Sequence, residues 1–351
     1  MIGISLLTLV PGVVGGSETY ARELVRALSR VGELEYRVFT SILAPDAADG
    51  LPGRTVRHYR ASRSIAGRLL AMTTAAVSPS LRRELELERL DVLHYPLTVA
   101  IPPVTKPPTV VTLQDLQHEI QPQFFSRDER AWRRLVYRSS LRRARLVIVP
   151  TAYVGGTAVD QLGLDPEHVR VIPHGVDHSS FRPAASEREP FLLYPANRWP
   201  HKNHERLFEA FALVRRERPD LRLVLTGSGH KGQATPAESR GYVPREELVE
   251  LYARASALVF PSLYEGFGLP PLEAMASGCP VAASDAGSLP EVCGDAARLF
   301  DATSPEAIAE AVLDVLANPQ PYVTAGLERA AEFTWERSAR AHEQVYRELF
   351  S

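Results

Sequence analysis

The stretch Tyr264-Glu265-Gly266-Phe267-Gly268-Leu269-Pro270-Pro271-Leu272-Glu273 decides the reading of this chain. It follows a short apolar run, Ala257 to Phe260, and its adjacent prolines suit a first helical turn, where a missing N–H loses no hydrogen bond. A helix is therefore expected to start near Pro270. Gly278 is a natural residue to end it and Pro280 prevents continuation, so the segment reads strand, glycine loop, short helix. Glu265 then lies in the loop and Glu273 in the first helical turn. Glycines at 266 and 268 let the backbone approach a phosphate, and free N–H groups at the helix start favour an anion. Ionised carboxylates would repel that anion, so the partners of Glu265 and Glu273 are expected to be hydroxyls, a sugar for one and a ribose diol for the other. The spacing suits a ligand with a sugar at one end and a nucleoside at the other. An ordinary helix start whose acids complement the dipole is the alternative.

The wider run, from Ser262-Leu263-Tyr264-Glu265 through Gly266-Phe267-Gly268-Leu269-Pro270-Pro271-Leu272-Glu273 to Ala274-Met275-Ala276-Ser277-Gly278-Cys279-Pro280-Val281, closely resembles the signature of retaining family-4 glycosyltransferases. That resemblance implies an α/β chain of the GT-B type, with two Rossmann-like, doubly wound parallel-sheet domains facing an interdomain cleft. It extends from the Gly15-Gly16 loop through Pro173-His174-Gly175-Val176-Asp177 to Trp335.

Bulk properties agree with a two-domain globular chain. At 351 residues the sequence is too long for one typical core and suits two domains of roughly 150 to 200 residues. A formal net charge of −2 gives no global attraction to nucleic acid, and none is expected as a partner. Cys279 and Cys293 lack metal-ligand or CxxC spacing and read as reduced thiols. The apolar run Ile2 to Val10 has no basic flank and is interrupted by Pro11 and Gly12, so it reads as a buried strand; with no long apolar stretch elsewhere, a cytoplasmic protein is expected.

Strand-like runs alternate with helical patterns along the chain, the signature of parallel sheets with helices on both faces. Ile2 to Thr8, Tyr36 to Thr40, Val92 to His94, Thr109 to Leu113 and Leu146 to Val149 supply a first sheet. Phe191 to Tyr194, Leu221 to Thr226, Ala257 to Phe260, Val281 to Ser284 and Arg298 to Phe300 supply a second. The predicted organisation is an N-terminal domain over 1–176, which binds the acceptor, a linker over 177–190, a nucleotide-sugar-binding domain over 191–334 and a C-terminal helix over 335–351. By resemblance that last helix returns to the first domain.

Ligands of open parallel sheets gather beyond the carboxyl ends of strands, which selects the loops to examine. After Phe191 to Tyr194 comes Asn197-Arg198-Trp199-Pro200-His201-Lys202-Asn203, in which Asn203 is the expected helix cap and Arg198 and Lys202 are candidate phosphate ligands; a solvated basic helix start is the alternative. Relatives usually place this pair one residue further apart. Fixed cations stabilise a leaving diphosphate most in the transition state. The glycine turn Thr226-Gly227-Ser228-Gly229-His230-Lys231 permits close approach of a nucleotide, and Gly241-Tyr242-Val243-Pro244 precedes a helix near Arg245, where the resemblance implies backbone contact with the base. Tyr242 as plain core is the alternative.

In the first domain Gly15 and Gly16, before a helix capped by Ser17, are expected to offer N–H groups to the phosphates. The spacing is not GxGxxG, and Glu33 and Glu35 precede rather than close the second strand, which disfavours a nicotinamide oxidoreductase. Gln114 and Asp115 follow the Thr109 to Leu113 strand where many relatives carry a His-Asp pair lining the reacting centre; glutamine takes no proton at neutral pH, so its role is limited to hydrogen bonding. His118 is either a substitute or a packing residue, and packing is favoured. From Arg127 to Arg145 there are eight arginines against two acids, with Trp132, Leu135, Val136 and Ser139 at helical spacing. Such a helix is read as a surface helix with its arginines solvated, with weak peripheral contact to anionic lipid as the alternative.

What the resemblance implies is a metal-independent transferase that moves a sugar, with retained configuration, from a nucleoside diphosphate donor to a carbohydrate, lipid-linked or small-molecule acceptor. Its chemistry would rest on Arg198, Lys202 and Glu265, with Gly15, Gly16, Gly227, Tyr242, Val243, Gly266, Phe267, Gly268, Leu269 and Glu273 around the donor and Gln114, Asp115 and His118 near the sugar or acceptor. No cofactor beyond the donor is expected. A catalytically silent sugar-nucleotide-binding protein, an epimerase and a glycosyl phosphorylase are the competitors.

Overall fold

The computed structural model describes residues 1–13, 15–184, 187–229 and 236–350. His230 and Lys231 of the second glycine loop lie outside the described residues. The chain divides into two compact units, Met1–Gly175 together with Trp335–Ser351, and Val176–Thr334.

The first unit holds a parallel sheet of β1 (Ile2–Leu6), β2 (Tyr36–Thr40), β3 (Gly53–Thr55), β4 (Val92–Tyr95), β5 (Thr109–Thr112), β6 (Leu146–Val149) and β7 (Val169–Val171), in the order β3-β2-β1-β4-β5-β6-β7. Its helices are α1 (Gly16–Val31), α2 (Ile65–Ala76), α3 (Pro79–Glu86), α4 (Gln117–Ile120), α5 (Arg127–Arg143) and α6 (Ala152–Leu162). All residues of β1, β4, β5 and β6 are buried, which explains why these strands read as apolar runs rather than alternating patterns. Ser17 is not the cap of α1: Gly15, at φ +54°, occupies that position, and Ser17 falls inside the helix. The apolar stripe anticipated for α5 is also displaced. Leu135 is 71% exposed and Ser139 is exposed, whereas Ser140 and Leu141 are buried, so the helix presents a face one residue further along.

The second unit repeats the arrangement with β8 (Glu189–Pro195), β9 (Arg222–Thr226), β10 (Glu238–Ser239), β11 (Ala255–Phe260), β12 (Val281–Ser284) and β13 (Ala297–Phe300), all parallel and ordered β10-β9-β8-β11-β12-β13. Helices α7 (His204–Glu217), α8 (Arg245–Arg254), α9 (Leu269–Ala276), α10 (Leu289–Cys293), α11 (Pro305–Ala317) and α12 (Pro319–Ala331) link them. In both sheets the strand order reverses once, between β1 and β4 and between β8 and β11, which defines a doubly wound fold and its switch point. The segment read as a linker packs on this unit at its start: Phe181 is buried edge-on to Tyr252, and Asp177 accepts hydrogen bonds from Ser179, Ser180 and Arg245.

The last helix, α13 (Trp335–Arg347), packs on α1 of the first unit and on the turn that precedes β2, and two polar devices hold it there. Buried Glu343 accepts from the backbone N–H groups of Glu33 (2.8 Å) and Leu34 (3.0 Å) and from the Tyr36 hydroxyl. The second device is a hydrogen-bond chain whose direction follows from the neutral state in which burial holds His342. Ser338 O can only accept, so His342 carries its proton on Nδ1 (2.8 Å) and accepts at Nε2 from the Tyr20 hydroxyl (2.8 Å). Tyr20 then accepts from Thr112 (2.9 Å), Thr112 from His94 Nε2 (2.8 Å), and His94 Nδ1 from Tyr346 (2.8 Å).

Both imidazoles are neutral in that order, and a third, His174, stacks on Tyr20 at 4.5 Å. Burial holds His342 at a pKa of about 4 and His174 at about 3, and depresses His94 strongly. Each folded value lies below the ordinary histidine value, so the unfolded chain binds more protons at mildly acid pH. Stability of this unit is therefore full above about pH 6.5 and declines as pH falls toward 4, by about 1 kcal/mol per pH unit for each ring. Thermal unfolding followed from pH 7 to pH 5 checks this; a midpoint constant across that range would contradict it.

Candidate functional site

The switch point between β8 and β11 places two loops side by side at the carboxyl edge of the second sheet, residues 196–203 after β8 and 261–268 after β11. Their backbones are joined by Leu263 N–H donating to His201 O (2.8 Å), and the Tyr194 hydroxyl donates to Lys202 O (2.6 Å). A short turn, Pro200–Lys202, then carries the Lys202 side chain to Glu265, with Nζ 2.5 Å from Oε1. The pair is only 13% and 14% exposed, and the ammonium also lies 5.4 Å from the Phe260 ring centre. Partial burial strengthens the attraction relative to a surface pair. The residues assigned separately to phosphate and sugar thus meet each other.

Asn203 does begin α7, but its side chain does not cap it. At φ +60° its amide turns into the protein, donating to Pro261 O (3.0 Å) and Ala302 O (2.7 Å), and so ties α7 to the ends of β11 and β13. Arg198 points along α7, paired with Glu205 at 2.5 Å and lying over Phe208. His201 is held at a pKa of about 4 by burial and by the Lys202 charge.

Gly268, at φ +114°, precedes α9, which begins at Leu269. A side chain at 268 would also put its Cβ 2.8 Å from Leu289. Because the helix begins there, Glu273 stands in the second turn and not the first. Its carboxylate accepts from the Tyr252 hydroxyl at 2.9 Å and is half-buried. Gly266 and Leu269 line the same half-open loop, whereas the Phe267 ring is buried edge-on to Phe333, leaving its backbone as the part that a ligand can use.

Two further loops, after β9 and after β10, align along the rim. Asn197 Oδ1 accepts from Ser228 N–H (2.8 Å) and hydroxyl (2.9 Å), Arg198 N–H donates to Ser228 O (3.0 Å), and Gly227 N–H donates to Gly241 O (2.7 Å). Gly227, at φ +108°, admits no side chain: a Cβ would stand 2.7 Å from the Ala196 carbonyl. Tyr242 is 84% exposed, which overturns its reading as core, and Val243 packs partly on the core behind it. A depression of about 500 Å³ along α8, lined in part by Arg240, Glu247 and Arg254, shares no residue with the Lys202 and Glu265 loops.

In the first unit Gly15 and Gly16 are exposed after β1, with Gly12 N–H donating to Glu18 at 2.7 Å. Gln114 spends its amide on Pro96 O (3.1 Å), and Asp115 accepts from Gln117 N–H (3.0 Å). His118 is not available as their substitute. Its ring is buried edge-on to Tyr137 and Phe125, and burial lowers its pKa to about 4.

Sequence reasoning missed the loop after β12. Ser288 donates its N–H to Glu265 O (3.2 Å), and its hydroxyl lies 2.7 Å from Phe267 O and 3.0 Å from Glu265 O. The same rule that selected the other post-strand loops would have selected Asp285-Ala286-Gly287-Ser288. Tyr252, the partner of Glu273, gave no signal, since its position depends on how α8 packs on α9.

Two family models match the chain, "Glycosyltransferase Family 4" over residues 14–180 and "Glycosyl transferases group 1" over residues 176–332. O-antigen chain mannosyltransferase B of Escherichia coli is 38% identical over 176 residues, which cover 45% of this chain and 46% of that relative, so the chain spans about half the length of this curated relative. Sucrose-phosphate synthase from Thermosynechococcus elongatus superposes with a TM-score of 0.78 at 23% identity, covering 99% of this chain and 98% of the other. Anabaena HepE, solved with UDP and glucose, does so with 0.71 at 17% identity, covering 98% of each. By these matches and by its two doubly wound sheets, the chain belongs to the GT-B glycosyltransferases of family 4 and group 1.

Proposed function

We propose that this chain transfers a sugar from a nucleoside diphosphate donor to an acceptor hydroxyl, with retained anomeric configuration and without a metal ion. The observation that carries the proposal is the Lys202–Glu265 pair at the switch point, with the Glu273 carboxylate on the adjoining helix. Glu273 takes the ribose hydroxyls and Glu265 the sugar hydroxyls, while the amides of residues 266–269 and Lys202 face the diphosphate. Donor binding exchanges partners. A phosphate oxygen replaces Glu265 at the ammonium, and sugar hydroxyls replace the ammonium at Glu265, so each group meets complementary chemistry.

Arg198 makes the same exchange at small cost, because its partner Glu205 is 74% exposed and surface pairs contribute at most about 1 kcal/mol. As the bond from the anomeric carbon to the phosphate oxygen breaks, fixed cations stabilise the charge that collects on the leaving group. The acceptor oxygen bonds to that carbon on the same face, and its proton passes to the departing phosphate oxygen. Glu265 and Glu273 thus bind and orient, and neither is needed as a base.

By analogy with HepE, a uridine donor is the first to try, and a mannosyl group is suggested by the Escherichia coli relative. The acceptor is a carbohydrate, lipid-linked or small-molecule hydroxyl, and a cytoplasmic setting belongs to this reading; among the described residues no helix is long and apolar enough to cross a membrane. The α5 arginines are read as solvated, with weak contact to anionic lipid as the alternative. A silent sugar-nucleotide-binding protein is the second reading, favoured by the engagement of the Gln114 amide with Pro96. Thermal-shift measurements with UDP, GDP and ADP test binding: a true ligand at a hundred times its Kd stabilises by about 2.7 kcal/mol. No shift with any of the three would defeat both readings, and a shift without release of free nucleoside diphosphate in the presence of acceptor would favour the second.

A further inference from the structure

Beneath the Glu265 loop lies a support that none of the roles above uses. Gly287, at φ +65°, sits so close that a Cβ there would stand 2.7 Å from Glu265 O and 2.9 Å from Glu265 N. The next residue, Ser288, is fully buried and directs both of its donors upward. Its N–H and its hydroxyl reach Glu265 O, and the single hydroxyl proton is shared with Phe267 O at the shorter distance of 2.7 Å. The carbonyls on either side of Gly266 are therefore held from one side, and the Glu265 side chain is left to extend to the other, where Lys202 stands.

We propose that Ser288, seated by Gly287, is a positioning residue that sets the Glu265 carboxylate against Lys202. Its catalytic consequence rests on the transfer reading above; its geometric one does not. Ser284 provides the internal comparison. It is equally buried and its hydroxyl donates to Ser262 O at 2.6 Å, three residues before Glu265 in the same loop, without touching the Glu265 peptide.

The test has an arm that needs no activity. The chain contains three lysines, Lys106, Lys202 and Lys231, so the rate of reductive methylation of Lys202 can be followed by mass spectrometry in the intact free protein, with exposed Lys106 as reference. Ser288→Ala should raise the Lys202 rate about fivefold by freeing the ammonium from its carboxylate, and Ser284→Ala should leave it unchanged. Gly287→Ala, which keeps the hydroxyl but drives a Cβ into the Glu265 peptide, should raise it too. In the kinetic arm, Ser288→Ala should lower kcat about tenfold with donor KM changed less than about twofold, since a misplaced contact is felt at the reacting centre. In a Glu265→Gln background the same change should lower kcat less than about twofold, because the group being positioned is gone.

An unchanged Lys202 rate in Ser288→Ala, or a rise shared by Ser284→Ala, overturns the assignment, as does an equal kinetic loss in both backgrounds. If the wild-type chain transfers no sugar, the proposed function fails, and the methylation rates still decide whether Ser288 positions Glu265.

Discussion

Replacing Lys202 by alanine should lower sugar transfer about a hundredfold, the loss expected when one preorganised charge stabiliser is removed from a leaving group. The magnitude follows from how firmly the ammonium is placed. Its backbone is pinned by the Tyr194 hydroxyl at 2.6 Å, the preceding carbonyl by Leu263 N–H at 2.8 Å, and the following residue by the two bonds from the Asn203 amide. A charge held this way needs little reorganisation as the diphosphate departs. Arginine is a poor replacement, because its planar fork does not reproduce a point charge at the end of this short turn. Alanine also strands the half-buried Glu265 carboxylate without its cation, so the donor should meet a more negative rim and bind less tightly. Arg198→Ala should do less, since that guanidinium lies on Glu205 and Phe208. Saturating-donor kcat and donor KM measured on both variants, with melting points to confirm folding, check the ranking; wild-type turnover in Lys202→Ala would remove this residue from the mechanism.

The second large effect is on stability. Glu343→Ala should destabilise the first unit by about 3 kcal/mol, because two backbone N–H groups and one hydroxyl lose their shared acceptor, at roughly 1 kcal/mol each. Glu343 is 2% exposed, so water does not readily replace the lost carboxylate. The change acts on the contact between α13 and the turn at Glu33 and Leu34 that precedes β2. Chemical denaturation read by tryptophan fluorescence suits the measurement, because two of the three tryptophans, Trp132 and Trp335, belong to that unit. A midpoint within error of wild type would mean that the Glu343 bonds add nothing to the hold on α13 beyond its apolar face, the Tyr20 chain and the Arg30–Glu336 and Arg347–Glu33 ion pairs. The two predictions are separable: one variant should lose turnover at saturating donor while still folded, the other should lose stability through residues remote in sequence from the Lys202 loop.

The fold was legible wherever burial is two-sided. Ile2 to Leu6, Leu146 to Val149 and Val281 to Ser284 are apolar or small throughout because helices cover both faces of the sheet, and such runs announce themselves. Strands β3, β7 and β10 did not. Gly-Arg-Thr, Val-Arg-Val and Glu-Ser are short, partly exposed edge segments defined by one neighbour's hydrogen bonds, and nothing in their own residues demands a strand.

The site was legible at the level of loops and not of pairs. Lys202 and Glu265 were each visible as residues that follow a strand, but their contact requires β8 beside β11, two strands that are not consecutive in sequence. Local helix signals were likewise incomplete. Prolines 270 and 271 fixed the start of α9 to within a residue, yet the left-handed turn at Gly268 brings the helix in at Leu269 and moves Glu273 into the second turn, where Tyr252 meets it. Asn203 looked like a cap because asparagine usually is one; its left-handed backbone sends the amide to Pro261 and Ala302 instead.

Donor chemistry at the carboxyl edge of the second sheet is open to a single decisive measurement. The chain is incubated with a UDP-, GDP- or ADP-linked α-hexose panel and a mixed set of acceptor glycosides, and the product is followed by proton NMR of the anomeric resonance. Equal release of nucleoside diphosphate and of an α-linked glycoside is expected from at least one donor, abolished together with donor-induced stabilisation in the Lys202→Ala, Glu265→Gln double variant. A β-linked product, or transfer that persists at the wild-type rate in that variant, would contradict it.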